Sequence, residues 1–125
     1  MEVKRINING REFAFICDWR STRNGFAHDA TMMENWRTVA KATLHYLNRT
    51  WECWSYQSAI LDAIDKAMDE EARRVERKVK QDNGWEKLTA KRREAVAAAL
   101  AESKDYAIYK KLRDECKGYE PAWAN

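Results

Sequence analysis

Four side chains in this chain have the chemistry of a metal site: Cys17, His28, His45 and Cys53. Thiolate and imidazole are the ligands zinc prefers, and neighbouring strands can bring such residues together. The hydrophobic pattern argues against it here. Ala40, Ala42, Leu44 and Tyr46 alternate in step with Phe26, Ala30 and Met32, so His45 should point away from His28 and Cys17. The three cysteines, at 17, 53 and 116, contain no CxxC pair. No metal and no cofactor is expected. On the opposite face the same alternation collects Asp18, Asp29, Lys41, Thr43 and His45. Such groups perform general acid–base chemistry when held within hydrogen-bond reach, but a solvated sheet face carries the same polar alternation. With no nucleophile elbow and no phosphate-cradling glycine loop, the expectation is a protein that is not an enzyme.

Two other constellations suit binding. Four of the six tryptophans lie between positions 19 and 54, each close to an arginine: Trp19 beside Arg20 and Arg23, Trp36 beside Arg37, and Trp51 and Trp54 after Arg49. Tryptophan and arginine dominate interface hot spots because each couples a large flat surface to directional donors. The candidate partner-binding set is therefore Arg20, Arg23, Arg49, Trp51, Trp54 and Trp36. At least one of Trp51 and Trp54 is expected to plug the end of the core instead. The second constellation is Arg73, Arg74, Arg77, Lys78 and Lys80, followed by Lys91, Arg92 and Arg93. Positions 73, 77 and 80 share one helical face and 74 and 78 another, so two basic ridges could meet phosphates. Asp69, Glu70, Glu71, Glu76 and Glu86 are interleaved with them, the pattern of a solvated, salt-bridged helix. Direct nucleic-acid binding through Arg73, Arg74, Arg77, Lys78, Arg92 and Arg93 is thus the alternative to protein binding.

The elements that must carry these residues follow from periodicity. Val3–Ile8, Arg11–Trp19, Phe26–Glu34 and Thr38–Leu47 read as strands with period two. Asn9-Gly10 is a strong hairpin signal because both residues tolerate positive φ. Arg20–Gly25 reads as a polar loop, and Asn35-Trp36-Arg37 turns the chain. An antiparallel meander places Arg20–Gly25 and Arg49–Trp51 at one end of the sheet and Trp36 at the other. After residue 54 the period becomes about 3.6. Tyr56, Ile60, Ala63, Ile64, Ala67, Met68, Ala72, Val75 and Val79 form one stripe of a long helix, capped by Thr50 or Ser55 and ended by Asn83-Gly84. A second helix starts at Thr89, and Ser103 either starts a third or interrupts a continuous one. Tyr106, Tyr109, Leu112 and Cys116 form its stripe, and the aromatic tail Tyr119–Trp123 could dock back on the body. The expected fold is α+β: a four-stranded antiparallel meander packed by a long helix, with a C-terminal helical hairpin. Residues 1–68 would form the sheet-plus-helix core and 69–125 a charged extension packed on it or projecting. An exposed stripe of Val75, Val79, Ala97 and Leu100 offers a route to self-association.

Composition fits an ordered helix-rich domain: 45% hydrophobic and 34% charged residues with four glycines and one proline. A formal charge of +3 permits a nucleic-acid partner without demanding one. Nothing reads as a signal peptide or membrane span, so a reduced cytoplasm is expected, and the Asn48-Arg49-Thr50 sequon is read as a turn.

Ser21-Thr22-Arg23-Asn24-Gly25-Phe26-Ala27-His28, then Ala40-Lys41, Tyr46-Leu47-Asn48-Arg49-Thr50-Trp51-Glu52 and Tyr56-Gln57-Ser58 together resemble a pattern in small proteins of bacterial phages and mobile elements. The resemblance covers roughly residues 10 to 68 and brings no catalytic residue with it. It implies a non-enzymatic accessory protein that binds and inhibits a host-defence nuclease complex, as anti-CRISPR proteins do. The partner would be a host protein such as a CRISPR effector in the bacterial cytoplasm. The strand–strand–strand–helix order also echoes part of the double-stranded-RNA-binding fold. Thr50-Trp51-Glu52-Cys53, however, stands where that fold wants lysines.

Overall fold

The computed structural model describes residues 1–46, 55–83 and 89–117. Four strands, β1 (Glu2–Ile8), β2 (Arg11–Thr22), β3 (Gly25–Glu34) and β4 (Arg37–Tyr46), precede three helices, α1 (Gln57–Asn83), α2 (Thr89–Glu102) and α3 (Lys104–Lys117). The strands form one antiparallel sheet in sequence order. The α+β meander expected from the pattern is the fold observed.

Register follows the alternation. Phe15 pairs with Met32, Cys17 with Ala30, Ala30 with Ala42 and Phe26 with Tyr46. These side chains therefore share one face, on which Phe15, Cys17, Ala30, Met32 and Ala42 belong to the core and Phe26 stacks on Tyr46. Onto it α1 lays Ala59, Ile60, Ala63, Ile64 and Ala67. Ser55 Oγ accepts a hydrogen bond from Gln57 N at 3.2 Å, one of the capping roles anticipated for the helix start. Thr50 and Gly84 lie outside the described residues.

Helix α3 also covers the sheet. Tyr109, Leu112 and Cys116 are buried in the same cluster as Phe13, Phe15 and Ile60, and Phe13 meets Tyr109 edge-on with ring centroids 6.1 Å apart. The boundary anticipated at residue 68 falls inside α1, and α3 belongs to the core layer. Arg113 bonds Asp65 of α1, with Nε to Oδ1 at 2.5 Å. Gln57 Nε2 donates to the terminal carbonyls of Cys116 and Lys117. Ser103 separates α2 from α3: its hydroxyl accepts from Tyr106 N at 3.2 Å, the N-cap bond that starts a new helix.

Three expectations need correction. Arg20, Ser21 and Thr22 are not loop; they continue β2, paired with Ala27, Phe26 and Gly25. Cross-strand pairing wins over the polar composition because only Arg23 and Asn24 are needed to turn the chain. Val75 and Val79 are not an exposed stripe, since the chain's own helices leave them 5% and 7% accessible. Glu71, not Ala72, occupies the buried stripe position between Ala67 and Val75. The tail Tyr119–Trp123 lies outside the described residues. No helix among them is long and apolar enough to cross a membrane.

Arg11 ties three elements together. Its guanidinium grips Glu34 of β3 with two bonds of 2.7 Å and Asp105 of α3 with a third of 2.7 Å. These carboxylates raise its pKa further. Replacing Arg11 with Met keeps the aliphatic stem and leaves Glu34, 16% exposed, without its cation. The expected loss is about 2 kcal/mol, since orphaning a half-buried carboxylate costs more than an exposed ion pair contributes. Urea unfolding of Arg11→Met checks this, and a loss under ~0.5 kcal/mol, the usual scale of a surface pair, would reduce Arg11 to decoration.

Candidate functional site

Two hairpin turns stand at one end of the sheet, and they have the same backbone. Asn9 and Gly10 have φ of 52° and 84°; Asn35 and Trp36 have φ of 50° and 65°. Two central residues with positive φ make the type I′ turn that matches strand twist, and its usual second residue is glycine. Trp36 fills that position with the bulkiest side chain, in a conformation costing an L-residue roughly 1–2 kcal/mol. It recovers nothing by packing, being 91% exposed.

The start of β4 is irregular. Met32 pairs with Ala40 but Met33 with Thr38, leaving Val39 as the extra residue of a bulge. A bulge breaks the alternation and re-aims a side chain. Val39 accordingly packs against the core beside Ala40, where strict alternation would send it to the open face.

There it lines a groove of about 430 Å³ with Ala67, Glu70, Glu71, Arg73, Arg74, Arg77 and Tyr109. Arg74 and Lys78 line a second groove, of about 540 Å³, with residues of α2 and α3. The two basic ridges expected on α1 thus look into different grooves, with Arg74 on the crest between them. Trp36 lies three residues before Val39, about 10 Å along an extended strand, so the tryptophan turn and the first groove occupy the same end of the molecule.

The polar wiring of this end is specific. Glu71 accepts two bonds from Arg74, at 2.9 and 2.5 Å, and one from the Ser103 hydroxyl at 2.9 Å. The Arg74 bonds, offset in part by burial and helped by Ser103, hold its carboxyl below its ordinary pKa. Arg92 bonds Glu76 at 3.1 Å. Among the described residues Arg73, Arg77, Lys78 and Arg93 make no ion pair.

The other expected residues are dispersed. Arg20 lies on the open face, its Nε 3.2 Å from Asp29 Oδ2. Arg23 is in the exposed β2–β3 turn, at the far end of β3 from Trp36. Ten residues separate the two ends, roughly 30 Å. Arg49, Trp51 and Trp54 lie outside the described residues, so Trp36 and the Arg20–Arg23 region form separate patches. Trp19, which shares the core-side register of Cys17, is 57% exposed. On the open face Thr43 and Arg20 hydrogen-bond Asp29 and depress its pKa, which leaves a weak base. His45 pairs with Ala27 and His28 with Leu44, so the imidazoles point to opposite faces; Cys53 lies outside the described residues. His28 is buried among Phe26, Tyr46 and Tyr56. Burial pushes the Cys17 and Cys116 thiols up to about 11, away from thiolate chemistry. Among the described residues no group of three or more His, Cys, Asp or Glu converges as metal ligands would.

Sequence reasoning missed Val39 and Glu71 as parts of this surface. Glu71 had a visible cue: it occupies a stripe position in the series 60, 64, 67, 71, 75, 79. Val39 had none, because a bulge leaves no mark in alternation. Comparison with family models, curated proteins and solved structures finds no match to this chain.

Two outcomes follow. Trp36→Gly should raise stability by about 0.5–1 kcal/mol, the relieved strain less the added chain entropy of glycine. Gly10→Ala, whose new Cβ would meet nothing within 4 Å, should lower it by about 1 kcal/mol. Opposite signs in urea denaturation identify the turn backbone as the cause; a destabilised Trp36→Gly would mean that the indole supports the fold. For Glu71, a depressed folded pKa means its stabilisation is full above the ordinary value of 4.5 and fades as pH falls through the folded value. Glu71→Gln should therefore be about 1 kcal/mol less stable at neutral pH and converge on the parent protein in acid. A constant gap across the titration would show that Glu71 contributes no charge-dependent stability.

Proposed function

We propose that this protein is a non-enzymatic binding protein that engages a host protein through the hairpin end of its sheet, with Trp36 as the anchor. One observation carries the reading. A tryptophan stands almost fully exposed in a turn position that suits glycine, while the neighbouring turn of the same geometry has the glycine. Strain kept at a position that contributes no packing is what a binding surface explains and a fold does not. Tryptophan is also the side chain with most to gain from burial against a partner.

The resemblance to small phage and mobile-element proteins supports a class of partner, a host-defence nuclease complex such as a CRISPR effector, met in the bacterial cytoplasm and inhibited by occupation of its surface. Direct nucleic-acid binding is a second reading, favoured by the cations of Arg73, Arg77, Lys78 and Arg93 that no described carboxylate neutralises. It calls for affinity that falls steeply with salt; Arg74 and Arg92, held by Glu71 and Glu76, would add little to that slope.

The test is inhibition of a host-defence nuclease complex reconstituted with the protein, alongside capture of that complex on immobilised protein. Trp36→Ala should weaken both by about tenfold or more, the loss of one hot-spot side chain. Joint alanine substitution of Arg20, Arg23 and Arg49, at other positions, should weaken them less. Undiminished capture by Trp36→Ala would remove the anchor, and a gel shift abolished by Arg73→Gln and Arg77→Gln together would move the reading to nucleic acid.

A further inference from the structure

We infer that the outer edge of β1 pairs antiparallel with β1 of a second copy of this chain, about a two-fold axis at Val3. The two edges of the sheet are built differently. β4 is interrupted by the Val39 bulge, and the Lys66 ammonium donates to the Lys41 main-chain carbonyl at 3.4 Å. Bulges and lysines along an edge keep other strands from pairing with it. β1 runs without interruption from Glu2 to Ile8, paired with β2 in one register. No strand lies beyond it among the described residues. The two-residue Asn9-Gly10 turn makes Ile8 and Arg11 the hydrogen-bonded pair that closes the hairpin. Main-chain groups alternate sides along a strand, so those of Ile8, Ile6, Lys4 and Glu2 face β2. Those of Val3, Arg5 and Asn7 point outward.

What guards β1 is charge, and that charge selects the occupant. Glu2 and Lys4 share the core-side register with Cys17 and Phe15, their charged groups 3.9 Å apart within the strand. Pairing centred on Val3 sets Glu2 of each copy opposite Lys4 of the other, with Val3 against Val3 on the open face. Opposite charges and apolar pairs are favourable across strands, and like charges are not. Centring on Lys4 or Arg5 would set like charges face to face. Centring on Ile6 would put Glu2 opposite the turn of the second copy. Val3 is 46% exposed and neighbours half-buried Ile16 on β2. The joined sheets therefore carry one apolar row, Ile16 and Val3 of each copy meeting at the axis. A strand of another protein would need the same acid and base at the same spacing to do as well. Residues 1–5 of each copy span about 17 Å, so the contact belongs to the small, reversible class of interfaces. The axis reverses the second copy, which leaves the two Trp36 turns open at opposite ends of an eight-stranded sheet. The inference is thus independent of what Trp36 binds.

The experiment is sedimentation velocity on the full, untagged chain from micromolar to millimolar concentration. The expected result is a monomer–dimer equilibrium that shifts to dimer across this range. Glu2→Lys and Lys4→Glu, each alone, set like charges across the axis and should weaken the dimer about tenfold. Mixed in equal amounts, the two variants should recover it, because each copy then meets opposite charges in the other. Circular dichroism verifies that both variants keep the fold, and recovery on mixing excludes a folding defect as the cause. A chain that stays monomeric at millimolar concentration overturns the proposal. So does a dimer indifferent to both single variants, or one that mixing does not recover. A dimer lost in Trp36→Ala also overturns it, since the copies would then meet at their hairpin ends.

Discussion

The hairpin end depends on the guanidinium of Arg11. It reaches from the first residue of β2 to Glu34, the last of β3, and to Asp105 in the first turn of α3. Glu34 immediately precedes the Asn35-Trp36 turn, so gripping its carboxylate anchors the base of the hairpin that carries Trp36. Asp105 sits where a carboxylate also favours the helix dipole, so the same cation fixes where α3 begins. Two residues earlier in the chain, Ser103 caps that helix and donates to Glu71, which in turn holds Arg74. An uninterrupted set of polar contacts and short stretches of chain thus joins the tryptophan turn to the crest of the basic groove. Lys111 adds a bond of 2.9 Å to Asn9 in the other turn. Half-burial makes these charges interact more strongly than they would in open water, and together they give this end a defined geometry.

That geometry exists because α1 and α3 both lie on the same face of the sheet. α1 descends antiparallel to β4, from Tyr56 near His28 to Ala67 near Val39, and α3 returns from Asp105 to Cys116 beside it. At 1.5 Å per residue the 27 residues of α1 make a helix about 40 Å long, longer than the strands it packs on. Its second half therefore overhangs the hairpin end. There α2 and α3 close over Val75 and Val79, and the arginines are left along the rim. The basic residues gather near Trp36 because the helix outruns its sheet.

Much of this was readable in the residues. Alternation in Phe13, Phe15 and Cys17 and in Phe26, Ala30 and Met32 specified strands, register and core face, since a slip of one residue would expose the whole set. The Ile60–Val79 periodicity specified α1, and Asn9-Gly10 the first turn. What periodicity cannot express stayed hidden. The Val39 bulge changes where one side chain points without changing composition. The docking of α3 on the sheet depends on the length of α1 and the return path of α2, neither of which leaves a local trace. Glu71 looked like one more solvated charge because burial is decided by its partners Arg74 and Ser103, thirty-two positions apart in the latter case. Of the partner-binding candidates, Trp36 was correctly expected at the sheet end opposite Arg20–Gly25. The groove that Val39 shares with Arg73 and Arg77 at this end was not anticipated, because it follows from the direction in which α1 crosses the sheet.

The two turns at this end make an internal control. Both are exposed two-residue turns with positive φ at both positions, the first on a regular ladder and the second leading into the Val39 bulge. Asn9-Gly10 fills its turn with the residue the geometry favours. Asn35-Trp36 does not, and it differs in the direction that lowers stability and raises the capacity to bind. Stability arguments account for the first turn and leave the second unexplained. The difference between them is the observation on which the proposed binding role of Trp36 rests. Arg73 and Arg77 point the same way more weakly. A surface helix whose only task is solubility tends to pair its charges at three- and four-residue spacing, as Arg74 does with Glu71. Arg73 and Arg77, in the groove that Val39 also lines, make no ion pair among the described residues, although Asp69, Glu70 and Glu76 stand at that spacing from Arg73. The strained turn and the basic groove lie at the same end of the molecule, and the proposed partner would have to meet this end.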